Sequence, residues 1–235
     1  MKTLFLGLLF LIISPLFLIS QTPDYYKLYM DTTGSNSVLY RGNAPVNYHF
    51  KHEGSYYIFD ENFQKGEVFF NGRRYTGILI NLNSHTDELI VKIPESISTV
   101  IANKTFVQKF NFHGKLFINF SSKKKGAPQA GYYELLYGGR DTLMKKIRKV
   151  YIEQIPQGGS GSIVRIFRTD ESYHIYSSGV WKSAYKKRDL LKIYSKQRRE
   201  IVKHLKEAGA DFSINKEQAF IEVVKFAEKL NQAAR

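Results

Sequence analysis

Residues 131–151, GYYELLYGGRDTLMKKIRKVY, most constrain the fold because they have the pattern of a β-hairpin. Gly138 and Gly139 supply the two positive-φ positions of a two-residue primed turn, the turn type that matches the twist of paired strands. Such a turn fixes which side chains face one another. The predicted register places Leu135 opposite Thr142, Tyr133 opposite Met144, and Glu134 diagonal to Lys145 on the other face.

Short apolar and aromatic runs of the same kind recur along most of the chain. Asn71-Gly72 is a strong hairpin signal between residues 67–70 and 75–82. About ten short strands at regular spacing predict an antiparallel β-sandwich or a barrel-like domain. The other predicted strands cover residues 88–93, 99–102, 105–112, 115–120, 162–167 and 173–176, with a turn at 169–171 between the last two.

Two amphipathic helices are predicted to follow the strands. The first spans about residues 187–208 and stops at Gly209, because glycine commonly follows a helix C-terminus. The second has Asn215 as its N-cap and Gln218 at the capping-box position. The sequence thus predicts a β domain over residues 21–181 and a helical hairpin over 182–235. Within the β domain, residues 156–162 are rich in glycine and serine and are predicted to be an exposed connection.

The first predicted helix has an apolar face and a cationic face. An arc of about 60° contains its apolar residues, from Leu190 to Ala208. Nearly opposite, within about 80°, lie six basic residues. We predict that this basic face binds an anionic partner; the alternative is an ordinary solvated face, since lysine favours helices. The six residues are Arg188, Lys192, Lys196, Arg199, Lys203 and Lys206, with Lys123–Lys125 and the basic residues of 145–149 as an extension.

Charge and cysteine content limit the classes of function. The chain of 235 residues has 35 Lys and Arg against 21 Asp and Glu, a formal net charge of +14 that favours anionic surroundings. No nucleic-acid partner is expected, because no nucleic-acid-binding motif is present. Cysteine is absent, which excludes disulfides, thiolate metal sites and cysteine nucleophiles.

The N-terminus has the pattern of a secretory signal peptide. Residues 1–20 combine the positive Lys2, an apolar run and the small Ser20 before a polar stretch. We predict cleavage near Ser20/Gln21 and a periplasmic or outer-envelope location. The alternative is an uncleaved membrane anchor, since the apolar run approaches the length that spans a bilayer.

Motifs that would indicate catalysis are missing from the sequence. GGSGS at residues 158–162 lacks the last glycine of a nucleophile elbow and the GK[ST] ending of a phosphate-binding loop. His49 and His52 have a spacing suited to a metal on a helix, but their segment is not predicted to be helical. No catalytic residue, metal ligand or cofactor is therefore predicted, and binding is favoured over catalysis.

Several segments together resemble a family of uncharacterised, signal-peptide-bearing proteins exported by Bacteroidota. The resemblance covers most of the chain after residue 20 and implies a Gram-negative envelope location, with a β domain before a helical end. It implies no catalytic residue. The chain differs at Lys186, where the family tends to have a serine that would cap the first helix. The segments are GSNSVLYRG, KGEVFFNGRRYTGILINLNSHTDELIVK, GYYELLYGGRDTLMKKIRK, YKKRDLLKIYSKQRREI and NKEQAFIEVVKFAEKLN.

Three functions are compatible with these features. The favoured one is a non-catalytic binding or adaptor protein whose basic surface contacts an anionic envelope component or an acidic protein, with peripheral membrane association. The second is a carrier with a lipid or small-ligand pocket in the β domain. The third, with least support, is a hydrolase acting on envelope polymers.

Overall fold

The computed structural model describes residues 32–155 and 163–233, and the predicted signal peptide and the connection at 156–162 lie outside these ranges. Ten strands form one sheet in which all neighbours are antiparallel, in the order β10-β9-β8-β7-β6-β5-β1-β2-β3-β4. The strands are β1 Gln64–Phe70, β2 Arg73–Asn83, β3 Glu88–Lys92, β4 Thr99–Ile101, β5 Val107–Phe112, β6 Lys115–Phe120, β7 Gly131–Gly138, β8 Thr142–Gln154, β9 Val164–Ser177 and β10 Val180–Ala184.

Three α-helices follow the sheet: α1 Lys187–Ile193, α2 Arg198–Glu207 and α3 Lys216–Ala233. Short 3₁₀ segments occur at Gly34–Asn36, Val38–Tyr40 and Ser195–Gln197. This architecture confirms the predicted fold class, which is mainly antiparallel β with a C-terminal helix pair. Within the described residues, no helix has the length and apolar character needed to cross a membrane.

The sheet is strongly curved but not closed. The turn between β2 and β3 reaches across to β8, where the Ser84 hydroxyl donates to the Ile147 carbonyl at 3.0 Å. The backbone N–H of Lys149 donates to the Ser84 carbonyl at 3.2 Å. Strands β4 and β10 remain the two edges of the sheet.

Two hydrophobic cores lie on one face of this sheet. Alternation along β7 shows how they are related: Tyr132 belongs to the first core, Leu136 packs against the second, and Glu134 lies between them. The first core fills the curve of strands β1 to β8, with Phe110, Phe112 and Phe117 among its members. The second core packs strands β8, β9 and β10 against the helices. Its members include Tyr173, Ile201 and Phe220.

The Asn71-Gly72 hairpin forms as predicted, whereas the register predicted for the central hairpin is wrong. Leu135 pairs with Met144 and Glu134 pairs directly with Lys145, because β7 has a bulge near Leu136 and three residues, 139–141, connect the strands. Asp141 in this connection is buried. Its backbone N–H donates to Glu228 of α3 at 3.0 Å, and its carboxylate accepts from the Tyr194 hydroxyl at 2.9 Å. Contacts with the helical region thus determine the conformation of the β7–β8 connection. The neighbouring residues alone predicted a different, two-residue turn.

The turn predicted at residues 169–171 is also wrong, because β9 runs through it without interruption. Asp170 pairs with Arg148 and Glu171 with Ile147, in the middle of a ladder of 13 pairs with β8. Glu171 also forms an ion pair with Lys145 at 2.9 Å. The long partner strand satisfies the backbone groups here, and this outweighs the local turn preference of the sequence.

The first predicted helix is interrupted between Ile193 and Arg198. It begins at Lys187 without the serine cap, and the Asp189 carboxylate accepts the N–H groups of Lys186 and Tyr185 at 3.1 and 3.2 Å. The predicted N-cap of the second helix is confirmed, since the Gln218 N–H donates to the Asn215 side chain at 3.0 Å.

Candidate functional site

The six predicted basic residues all lie on exposed positions of the α1–α2 region, which we call the basic face. Two of them, Arg188 and Lys192, are one turn apart on α1. Lys196 lies in the 3₁₀ segment, and the remaining three are on α2 at a spacing of four and three residues. The basic face consists of Arg188, Lys192, Lys196, Arg199, Lys203 and Lys206.

The interruption of the helix changes the predicted geometry of this face. At the interruption, Tyr194 is buried in the second core and its hydroxyl donates to Asp141 in the β7–β8 turn. Burial, followed by the nearby Asp141 carboxylate, raises the pKa of Tyr194. The cations therefore follow two short helices joined by a 3₁₀ segment, and the prediction of one continuous helical arc is wrong.

Few of these charges are neutralised within the described part of the chain. Lys203 forms an ion pair with Glu207, one turn further along α2, with 3.8 Å between Nζ and Oε1. The other five form no ion pair with any residue of 32–155 or 163–233. Like charges on one face repel one another, and an external anion would relieve that repulsion.

The basic face is supported by a firmly packed helix pair. Between α2 and α3, the His204 ring stacks on Phe226 with centroids 3.9 Å apart, and its Nε2 is 2.6 Å from a Glu222 carboxylate oxygen. Gln197 and Asn231 are joined by a side-chain hydrogen bond of 2.5 Å. The cations therefore project from a scaffold whose other side is fixed to the sheet.

A cluster of ion pairs, which we call the charge seam, attaches α3 to the sheet between the two cores. Glu217 of α3 accepts from Lys115 at 3.3 Å and from Lys145 at 3.1 Å. Although burial favours the neutral amine, hydrogen bonds to Glu171 and Glu217 hold the pKa of Lys145 above its usual value. The seam consists of Lys115, Glu134, Lys145, Glu171 and Glu217.

The predicted extension of the basic face along β8 does not form a shared surface. Lys145 belongs to the charge seam, whereas its neighbour Lys146 lies on the opposite side of the strand and donates to Asp87 at 2.5 Å. Adjacent residues on a strand point to opposite faces, so this basic run is divided between two environments. In the connection between β6 and β7, the Lys124 ammonium group donates to the Tyr176 hydroxyl at 2.8 Å.

His49 and His52 lie in a segment that is not helical, as the sequence predicts. His49 is exposed, and the His52 ring contacts its own turn through the Gly54 carbonyl at 3.1 Å. In the described ranges, no group of three His, Asp or Glu side chains comes together as metal ligands.

A second candidate site, absent from the sequence-based predictions, is a polar cleft of about 480 Å³ on the opposite face of β7 to β9. Its floor contains His174, which is 8% exposed and lies between two hydroxyls. The Ser172 Oγ is 3.0 Å from Nε2 and the Ser183 Oγ is 3.0 Å from Nδ1. Burial, with a smaller contribution from Lys146, lowers the pKa of His174 to about 4.

This lowered pKa predicts an acid-sensitive stability. An unfolded histidine binds a proton near pH 6.5, whereas folded His174 does so only near pH 4, so stability is full above pH 6.5 and falls as the pH drops below it. Between pH 7 and pH 5 the loss from this residue is about 2 kcal/mol. Urea unfolding at both pH values should show this loss of stability. The His174→Gln protein retains hydrogen-bonding groups but no titrating ring, so its free energy of unfolding should fall by about 2 kcal/mol less over the same pH range.

Comparison with known protein families, with functionally curated proteins and with solved structures gives no significant match. The resemblance to exported Bacteroidota proteins accordingly stays a prediction, and function must be inferred from the surfaces described above.

Proposed function

We propose that this protein is an exported, non-catalytic binding protein that attaches to an anionic component of the cell envelope through its basic face. The observation that carries the proposal is that five of the six exposed cations lack an ion-pair partner among the described residues. They also project from a helix pair whose opposite side is packed on the sheet.

Physical considerations favour a charged surface as the partner. Each Lys or Arg near an anionic membrane contributes roughly 1 kcal/mol, and the attraction is screened over about 8 Å at physiological salt. Because α1 and α2 are already ordered by packing, little conformational entropy is lost when the basic face binds. Binding should therefore be strong at low salt and weak at high salt.

The lipid-carrier form of the alternative has less support. The interior of the curved sheet is filled by large side chains that are almost completely buried, among them Phe110, Phe117 and Tyr132. A lipid-sized pocket inside the curved sheet would have to open among these residues, and close-packed interiors resist such rearrangement.

Vesicle co-sedimentation tests the proposed attachment. A variant with Lys192, Lys196, Arg199 and Lys203 all replaced by glutamate should bind vesicles containing phosphatidylglycerol at least 100-fold more weakly than the unmodified protein, because about 1 kcal/mol is lost per charge and repulsion is added. Its melting temperature should stay close to that of the unmodified protein, since all four side chains are exposed.

A matched control separates the basic face from overall charge. Replacing the exposed Lys51, Lys65, Lys182 and Lys229 by glutamate changes the net charge equally at dispersed sites. The vesicle affinity of this control should stay within about fivefold of that of the unmodified protein. Salt screens charges far from the membrane, so net charge alone should have only a small effect. An equal loss in both variants, or no vesicle binding by the unmodified protein, would contradict the proposal.

A further inference from the structure

The polar cleft has the properties of a binding site for a small anion, and it is separate from the basic face. Its walls are the β2–β3 turn, Lys104, residues 128–130 ahead of β7, and Tyr185 after β10. Its floor is the face of β7 to β9 that points away from the two cores. Strand pairing places Lys146 opposite Ser172, and Met144 opposite His174.

Positive charge exceeds negative charge in this cleft. Three cations line it, Lys104, Lys146 and Arg148, and Asp87 is the one acidic side chain among its lining residues. With His174 neutral at pH 7, these groups sum to a charge of +2, that is, three positive minus one negative. An anion with two negative charges would balance the site.

Asp87 positions two of the cations. Its carboxylate accepts from Lys104 at 2.6 Å and from Lys146 at 2.5 Å, and it also accepts the backbone N–H of Tyr132 at 3.2 Å. The carboxylate lies so close to Gly131 that a Cβ atom there would overlap it. A glycine at this position therefore allows the arrangement.

Lys146 retains hydrogen-bonding capacity after these contacts. Its ammonium group donates to Asp87 and, at 2.9 Å, to the Tyr132 carbonyl, which uses two of its three N–H groups. Burial, opposed by Asp87 and aided by Lys104 and Arg148, lowers the pKa of Lys146. The neighbouring cations therefore destabilise the charged form of Lys146, and a bound anion would offset this effect.

Arg148 adds a guanidinium group at the same cleft. Its side chain is exposed and forms no ion pair with any described residue. Guanidinium groups bind phosphate oxygens through two parallel hydrogen bonds. The Tyr185 hydroxyl supplies a further donor, and the Tyr133 ring and Pro128 supply apolar surface for an organic group.

We propose that this cleft binds a small, soluble molecule that carries a phosphate monoester, with Lys146 and Arg148 contacting the phosphate oxygens. A phosphate monoester has a charge of about −1.5 to −2 at pH 7, which matches the site better than a single carboxylate does. The volume of about 480 Å³ is sufficient for the phosphate and a sugar-sized or glycerol-sized group.

Calorimetric titration of the full chain with glycerol 3-phosphate tests this site. We expect saturable one-to-one binding with a Kd below about 1 mM at pH 7.5 and low chloride, and no binding of uncharged glycerol. Arg148→Glu should weaken binding at least tenfold. Lys182→Glu makes the same charge change on β10, at an exposed residue that does not line the cleft, and should leave the affinity within about twofold.

The outcomes distinguish the source of the phosphate and the independence of this site. Absence of binding, or equal losses in the Arg148→Glu and Lys182→Glu proteins, would overturn the proposal. So would binding of phosphatidic acid vesicles that requires Arg148 when glycerol 3-phosphate does not bind, because the ligand would then be a lipid headgroup. The four-site basic-face variant should retain its affinity for glycerol 3-phosphate, so failure of the envelope-attachment proposal would leave this one standing.

Discussion

Phe220→Ala should lower the free energy of unfolding by about 4 kcal/mol, because it removes a fully buried aromatic ring and leaves a cavity. Phe220 joins α3 to the sheet. Its ring stacks on Tyr173 of β9 with centroids 4.1 Å apart and an interplanar angle of 18°, and it also contacts the Phe212 ring. Urea unfolding at pH 7, followed by circular dichroism, measures the loss.

Phe106→Ala is the matched control for this substitution. The chemical change is identical, but Phe106 is 44% exposed and lies just before β5, remote in sequence from the helices. Its loss should stay below about 1.5 kcal/mol, because less apolar area returns to water and no enclosed cavity forms. Similar losses from both variants would mean that the second core does not hold α3 as the structure indicates.

Local signals in the sequence were sufficient for much of the sheet. Asn71-Gly72 fixes its hairpin because both residues have positive φ, 50° and 73°, and no distant contact is needed to form that turn. The central hairpin differs in this respect. Its connection is determined by Glu228 and Tyr194, about 90 and 50 residues away, and no rule based on neighbouring residues includes such contacts.

The two candidate sites differ in how far sequence could predict them. The basic residues of α2 follow from helical periodicity within one segment, so the sequence alone predicts them. The cleft instead combines β7, β8, β9 and four connecting segments. The predicted turn at residues 169–171 separated Ser172 from the strand on which it lies. The sequence does contain a signal for the cleft, namely the alternating pairs Lys146/Arg148 and Ser172/His174. These pairs indicate a shared site only once the β8–β9 register is known.

The charge seam has a similar origin in paired strands. The sequence predicts Lys145 as part of an extension of the basic face, yet the strand alternation that places Leu143 and Ile147 in the cores also places Lys145 beneath α3. A lysine in this position is tolerated because Glu171 and Glu217 both reach it. Buried charges are retained in proteins when they are paired in this way.

Lys145→Met should therefore destabilise the protein by about 3 kcal/mol, even though methionine keeps most of the apolar length of the side chain. Removing one partner of a buried ion pair leaves the other charges uncompensated, which typically costs about 3–5 kcal/mol. The lower end applies here because Glu217 keeps Lys115 at 3.3 Å and the Glu171 side chain is 35% exposed. Urea unfolding at pH 7 measures the loss, and Lys182→Met at an exposed site of β10 should cost less than about 0.5 kcal/mol.

The pH dependence of this loss identifies its cause. Despite burial, the hydrogen bond to Lys145 and the charges of Lys145 and Lys115 hold the pKa of Glu217 below its usual value. The stabilisation from this carboxylate is accordingly complete above the unfolded pKa of about 4.5 and is lost as the pH falls through the folded value. The pKa of Lys145 is raised, so its contribution persists up to about pH 10.5. Burial raises the pKa of Glu134, another member of the seam, and the charge of Lys145 opposes that rise, so Glu134 protonates at a higher pH than Glu217 does. The difference between Lys145→Met and the unmodified protein should be constant from pH 7 to 9 and shrink as the pH falls to 3; a difference unchanged at pH 3 would attribute the loss to packing instead of charge.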